Sequence, residues 1–111
     1  MTTKENQVEK SIGQWLQVYK FFFWKTTSNG FFDTKTKRFR KHVSPFVKNG
    51  APDFIVVHQG YFIGIEVKSP VGRMSESQKE FMHDLRKAGG IYILARSIDD
   101  VEKEFQSRGF I

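Results

Sequence analysis

The chain has 111 residues, a length that fits one domain with a single modest hydrophobic core. It contains no cysteine, which excludes disulfide bonds and thiolate metal sites, and its net charge of +6 fits an anionic partner. Because the sequence shows no signal peptide and no apolar run long enough to span a bilayer, we expect an intracellular protein that does not bind a membrane.

Apolar residues recur at helical spacing near the start of the chain, which predicts an amphipathic helix over roughly residues 4–19. The aromatic run at residues 21–24 is typical of a buried central strand, with both faces covered. Turn signals at Asn29-Gly30 and Asn49-Gly50 then bracket a basic segment, which we interpret as an extended loop or ribbon inserted at about residues 31–50.

The basic segment carries an aromatic residue, Phe39, among its positive charges. Lysine and arginine neutralise phosphates and a ring stacks on a base, so the segment is a candidate nucleic-acid contact. A solvated loop that keeps a small protein soluble is the alternative. Arg73 is a further candidate, because together with this segment it would form a positively charged track on the protein. The candidate DNA-binding residues are therefore Lys35, Lys37, Arg38, Arg40, Lys41, Lys48 and Arg73.

The remaining elements are a hairpin, two helices and one more strand. Two apolar runs, residues 54–57 and 61–67, flank a turn at residues 58–60. Ser75 to Gln78 fits a capping box that opens a helix, and residues 91–95 form a short strand before a last helix. The predicted order is α-β-β-β-α-β-α, an α/β fold with a mixed central sheet flanked by helices, in one domain over residues 1–111.

Three charged residues lie together at the ends of the predicted hairpin strands: Asp53, Glu66 and Lys68. Residues two apart on a strand share a face, so Glu66 and Lys68 project together, and strand pairing brings Asp53 close to Glu66 and Val67. Two carboxylates with the Val67 carbonyl between them suit a hard cation such as Mg²⁺. A structural ion pair of either acid with Lys68 is the alternative.

The motif Pro52-Asp53, twelve residues, then Glu66-Val67-Lys68 resembles the signature of the PD-(D/E)XK nuclease superfamily. The wider stretch, with Gly50-Ala51 before it and Gly72-Arg73-Met74-Ser75 and Gln78 after it, is more narrowly similar to the small stand-alone virus-type replication-repair nucleases, the VRR-NUC family. The resemblance implies a restriction-endonuclease-like core and a Mg²⁺-dependent endodeoxyribonuclease in which Mn²⁺ can substitute.

The resemblance also implies roles for individual residues. Asp53 and Glu66 would bind the metal with the Val67 carbonyl, and Lys68 would assist the attacking water or the transition state. Gln78 would face the active site as well as cap its helix. An acid on the first helix usually completes such a site, and Glu9 fits the family spacing better than Glu5, which stays open as the alternative. A solvent-facing acid near a helix N-terminus is the non-catalytic reading of both.

By family analogy the substrate is branched DNA, including four-way Holliday junctions, in repair or recombination. The same analogy implies a homodimer, no organic cofactor, and the cytoplasm of a bacterial or phage-infected cell. The long basic insertion departs from the compact family pattern, which leaves open a sequence-specific homing or restriction-like nuclease of the same fold. A non-catalytic nucleic-acid-binding module is the other alternative.

Overall fold

The computed structural model describes residues 3–26, 31–40 and 44–111. Within these ranges the three helices are α1 (Lys4–Val18), α2 (Glu76–Lys87) and α3 (Ile98–Ser107). The strands are β1 (Phe22–Lys25), β2 (Phe31–Asp33), β3 (Arg38–Arg40), β4 (Phe54–His58), β5 (Tyr61–Val67) and β6 (Ile91–Ala95). None of the helices in this described part of the chain is long and apolar enough to cross a membrane.

Four strands form one mixed sheet in the order β1-β4-β5-β6. The first two neighbouring pairs are antiparallel, whereas β5 and β6 are parallel and are joined through α2. Such a helical crossover is what a parallel pair requires. The predicted α/β fold with a mixed sheet and flanking helices is therefore confirmed, and α-β-β-β-α-β-α is the order of the helices and of the strands in this sheet.

The core lies between one face of this sheet and the pair of helices α1 and α3. Ile12 and Leu16 of α1 have no exposed surface, and neither have Val101 and Phe105 of α3. They belong to the same buried cluster as the alternate β5 residues Ile63, Ile65 and Val67. Because side chains alternate along a strand, Glu66 projects from the opposite face, the side of α2.

The aromatic run of residues 21–24 differs from its prediction. Phe21 and Phe23 pack against the core, but the side chains of Phe22 and Trp24 are 69% and 43% exposed. The prediction of a central strand buried on both faces is wrong, because β1 lies at the edge of the sheet and only one of its faces is covered.

The two hairpins in the described part of the chain differ in their relation to the main sheet. Gln59 and Gly60 both have positive φ, +50° and +83°, the backbone of a tight two-residue turn that matches strand twist. This turn joins β4 to β5 inside the sheet. In contrast, β2 and β3 form a separate two-stranded sheet, a basic ribbon. Its status as an insertion in one domain spanning residues 1–111 stays a prediction.

Candidate active site

The carboxylate of Asp53 is fixed against the end of β5. The β4–β5 ladder runs to the pair Phe54–Ile65, and Asp53 and Glu66 are the next residues on either strand. Asp53 Oδ2 accepts a hydrogen bond of 2.7 Å from the Val67 N–H. The predicted closeness of Asp53 to Glu66 and Val67 is therefore confirmed.

Glu66 is a buried acid with one oxygen satisfied and one not. Its residue surface is 3% exposed, and its Oε1 accepts a hydrogen bond of 2.7 Å from Gln78 Nε2. The same Oε1 lies 3.8 Å from Lys68 Nζ, so the ion pair considered from the sequence is present. Oε2 is buried and has no hydrogen-bond partner among the described residues.

Gln78 links the N-terminus of α2 to the hairpin. Its Oε1 accepts from the Ser75 N–H at 2.9 Å, and its own N–H donates to Ser75 Oγ at 3.2 Å, which completes the predicted capping box. The amide nitrogen of the same side chain is the donor to Glu66. Both structural roles considered for Gln78, helix cap and side chain facing the acids, are therefore present together.

An unpredicted residue, Lys25 at the end of β1, connects the first helix to the hairpin acids. Lys25 Nζ lies 3.0 Å from Glu9 Oε1 and 3.8 Å from Asp53 Oδ1. The ammonium group of Lys25 thus links Glu9 to Asp53. Glu5 has an electrostatic effect on both Asp53 and Glu66, whereas Glu9 has one on Asp53 and contacts Lys25, so the choice between the two acids stays a prediction.

Burial makes both hairpin acids weaker than free carboxylic acids. Burial, followed by the charge of Asp53, raises the pKa of Glu66 from 4.5 to about 8, against the opposing effect of Lys68. Burial also raises the pKa of Asp53, although the hydrogen bond from Val67 lowers it in part. A cation among them would favour the charged carboxylates, because opposite charge stabilises the ionised form.

The donors present fit a hard divalent cation. Glu66 Oε2 is a buried oxygen without a partner, a costly arrangement unless a ligand satisfies it. Across the described residues, no three His, Asp or Glu side chains come together as a complete metal-ligand cluster. A cation held by Asp53, Glu66 and the Val67 carbonyl would therefore complete its coordination with water, as Mg²⁺ commonly does.

The segment after Lys68 is held in place by hydrogen bonds from Arg96. The guanidinium Nη1 donates to the Ser69 and Gly72 carbonyls, both at 2.7 Å. These hydrogen bonds hold the turn that follows Lys68. The side chain of Lys68 is only 14% exposed.

The candidate DNA-binding residues lie on the surface. Arg73 lies just beyond the turn that follows Lys68 and is exposed. The described side chains of the basic segment are exposed as well: Lys35, Lys37, Arg38 and Lys48. The side chain of Arg40 and all of Lys41 lie outside the described residues.

Sequence reasoning missed three residues around the site: Lys25, Arg96 and Tyr92. Tyr92 is 4% exposed, its hydroxyl has no partner among the described residues, and burial, then Glu66 and Asp53, raise its pKa. A lysine that directly follows a strand's aromatic run was a usable signal. Its significance depended on the β1–β4 register, which places Lys25 opposite Phe54 and was not known in advance.

A sheet hairpin that ends in Asp, Glu and Lys beside a capped helix defines a site of the PD-(D/E)XK nuclease class. The model of the VRR-NUC domain family matches residues 3–99, and the chain therefore belongs to this family. Membership makes the protein a nuclease, hence a hydrolase, with DNA as the substrate that the domain implies. The resemblance to the VRR-NUC family noted from the sequence is therefore confirmed.

A solved structure described as a VRR_NUC domain protein is similar to this chain over almost its whole length. The TM-score is 0.67 at 25% sequence identity, with 96% of this chain and 88% of the other chain covered. No match was found among curated proteins. The structural similarity supports the fold assignment.

Proposed function

We propose that the protein is a Mg²⁺-dependent endodeoxyribonuclease that hydrolyses phosphodiester bonds in branched DNA, with Mn²⁺ able to substitute. The observation that carries the chemistry is the buried Glu66 Oε2 without a partner, next to an Asp53 carboxylate fixed by a backbone N–H. A binding module gains nothing from acids facing phosphate, because they repel it unless a cation lies between.

In this proposal Asp53, Glu66 and the Val67 carbonyl hold the cation, which supplies Lewis-acid activation of the phosphate and the attacking water. Lys68 is held 3.8 Å from Glu66 and stabilises the negative charge that grows on the phosphoryl oxygens. Gln78 orients Glu66 through its 2.7 Å hydrogen bond. Glu9 contributes a further acid from α1, and Arg73 with the basic ribbon binds the DNA backbone.

The test is strand cleavage of labelled four-way junction, flap, single-stranded and linear duplex DNA, each with Mg²⁺, Mn²⁺ or EDTA. Asp53→Asn and Glu66→Gln remove one charge each while keeping a hydrogen-bonding oxygen. Glu76→Gln is the matched control, because Glu76 is an exposed acid on α2 whose ion pair is with Lys79. We expect metal-dependent cleavage that both site variants abolish and the control retains.

The distribution of products decides the substrate. Paired cuts across the four-way junction support a junction resolvase, and because symmetric cutting needs two active sites, this proposal includes a homodimer. Sedimentation at the enzyme concentration used for cleavage then gives twice the chain mass. A monomeric active enzyme would contradict the dimer, and absence of cutting on every DNA with retained binding would favour the non-catalytic module.

A sequence-specific nuclease is the second candidate function, and the β2–β3 ribbon is the observation that favours it. Two-stranded ribbons fit the major groove of DNA, where base sequence is read. This ribbon is separate from the main sheet and carries exposed Lys37 and Arg38 near its turn. Cutting of linear duplex at one sequence, with the junction left intact, would establish this candidate and exclude the first.

A further inference from the structure

Lys25 occupies a fixed backbone position beside the acids. It is the last residue of β1 and pairs with Phe54, the residue after Asp53. The next residue, Thr26, donates its N–H to the Asp53 carbonyl at 2.9 Å, so the two chain segments stay paired past the end of the strand. The lysine side chain therefore starts from a rigid point within reach of the site.

The ammonium of Lys25 faces the Asp53 oxygen that does not accept from Val67. Oδ2 is engaged by the Val67 N–H, whereas Oδ1 lies 3.8 Å from Lys25 Nζ. The same Nζ is 3.0 Å from Glu9 Oε1. A cation that binds Asp53 through Oδ1 therefore meets an ammonium already directed at that oxygen, and like charges repel at such distances.

We propose that Lys25 is an exchangeable counter-ion: it pairs with Glu9 and Asp53 before a divalent cation binds, and it leaves Asp53 when the cation arrives. The inference rests on the proposed metal-dependent function. It explains how acids from α1 and from the hairpin coexist in a partly buried site. It also assigns different tasks to the two lysines, since Lys68 lies against Glu66 and is far less exposed than Lys25.

Two features make Lys25 suited to exchange rather than to permanent pairing. Its side chain is 49% exposed, and its distance to Asp53 exceeds that of a hydrogen bond. Exposed ion pairs of this kind contribute little to stability, so the contact is readily broken. Lysine also carries a compact charge on a flexible four-carbon stem, which lets the ammonium move without movement of β1.

The experiment is calorimetric titration of the purified protein with Mn²⁺ alone, without DNA, at fixed pH and salt. Lys25→Gln removes the competing charge, and we expect its Kd for Mn²⁺ to be about tenfold lower than that of the wild type. Lys25→Arg keeps the charge and should bind Mn²⁺ like the wild type. Lys79→Gln is the matched control, since it removes a lysine from an exposed pair with Glu76 and should leave the Kd unchanged.

Each other outcome overturns a defined statement. An unchanged or higher Kd in Lys25→Gln, with wild-type binding intact, overturns the counter-ion role and leaves the proposed function standing. If Lys25→Gln does not fold, Lys25→Met removes the same charge and keeps the apolar stem, and the same change in Kd is required of it. A wild-type protein that neither binds Mn²⁺ nor cuts DNA overturns the proposed function, and this inference with it.

Discussion

Glu66 is the residue whose chemistry depends most on its surroundings. Its pKa of about 8 in the folded chain lies above the ordinary value of 4.5, because burial and the Asp53 charge disfavour the carboxylate. The folded state therefore binds this proton more tightly than the unfolded state. Stability from the neutral acid is fully present below pH 4.5 and is lost as the pH rises through about 8.

We accordingly expect the free energy of unfolding in EDTA to fall by about 1 kcal/mol per pH unit between pH 5 and 8. Urea unfolding at several pH values measures this, and the comparison with Glu66→Gln isolates the residue because glutamine does not titrate. The variant should show a flatter pH dependence. Parallel curves for the two proteins would contradict the raised pKa. Saturating Mg²⁺ should flatten the wild-type curve, since the cation favours the charged form.

Gln78 makes two contacts, one within the first turn of its own helix and one with a residue of another element. Through Ser75 it stabilises the first turn of α2, and through Glu66 it orients an acid of the site. The capping box was readable from the spacing of Ser75 and Gln78 because it depends on local backbone geometry alone. Family resemblance placed Gln78 at the active site, but its contact with Glu66 was not predicted, since local sequence does not tell which strand a helix N-terminus will approach.

Mutations in α2 and its N-cap can separate the helix-capping contact of Gln78 from its contact with Glu66. Ser75→Ala removes only the cap, and we expect a loss of about 1 kcal/mol in unfolding free energy with cleavage unchanged. Gln78→Ala also removes the donor to Glu66, and we expect cleavage to fall by about 10–100-fold, as for residues that orient metal ligands. Denaturation and cleavage rates of both variants test this. Equal cleavage in the two would mean that Gln78 acts only as a cap.

Gly64 determines how closely α2 and the Pro52 turn approach β5. A Cβ at this position would lie 2.6 Å from Pro52 Cγ and 3.3 Å from Leu85 Cδ2. Gly64→Ala should therefore displace the segment that carries Asp53, at a cost of about 1–3 kcal/mol in stability. Urea unfolding measures the cost, and reduced cleavage at a temperature where the variant stays folded would reveal the displacement.

Gly13→Ala is the matched control for Gly64→Ala. In α1 the added Cβ would be 3.4 Å from the Phe54 ring, an ordinary contact, and alanine favours a helix over glycine by about 1 kcal/mol. We expect this variant to be as stable as the wild type or more stable. A similar loss of stability in both variants would mean that the loss does not come from the contacts of Gly64 with Pro52 and Leu85.

Element prediction succeeded where the signal was local and failed where it depended on neighbours. The turn at Gln59-Gly60 and the helical spacing of Ile12 and Leu16 are properties of short segments, and both elements formed as expected. The aromatic run of β1 was apolar enough for a central strand. Its edge position follows from the sheet order, which is set by contacts between distant segments, and this leaves Phe22 and Trp24 exposed.

Considered as a whole, the molecule places its candidate site at one end of the main sheet, where α1, β1, the β4–β5 hairpin and α2 meet. The Asp53, Glu66 and Lys68 motif could be recognised because its spacing is compatible with one hairpin. Lys25 was not predicted as a site residue because it belongs to another strand. It lies near Asp53 because of the β1–β4 register. Residues within one local unit are readable from sequence, whereas those that converge from separate units require the assembled fold.

The charge of the whole molecule gives the last prediction, which concerns DNA binding. The net charge is +6, and the basic ribbon carries exposed Lys37 and Arg38 at its turn. If these side chains contact phosphates, replacing both with alanine should weaken binding and lower the slope of log affinity against log salt by about one per lost contact. Binding is measured in the Asp53→Asn background, so that the DNA stays intact.

The control must remove the same charge elsewhere on the molecule. Lys87 and Lys103 are exposed on α2 and α3, and Lys87 lies at the end of α2 that is opposite to the capping box. Replacing both with alanine also lowers the net charge by two, so a general effect of charge would weaken binding equally in both double variants. A reduced salt slope confined to the ribbon variant identifies direct phosphate contacts there. Equal slopes in the two variants would instead mean that the ribbon acts only through the overall positive charge.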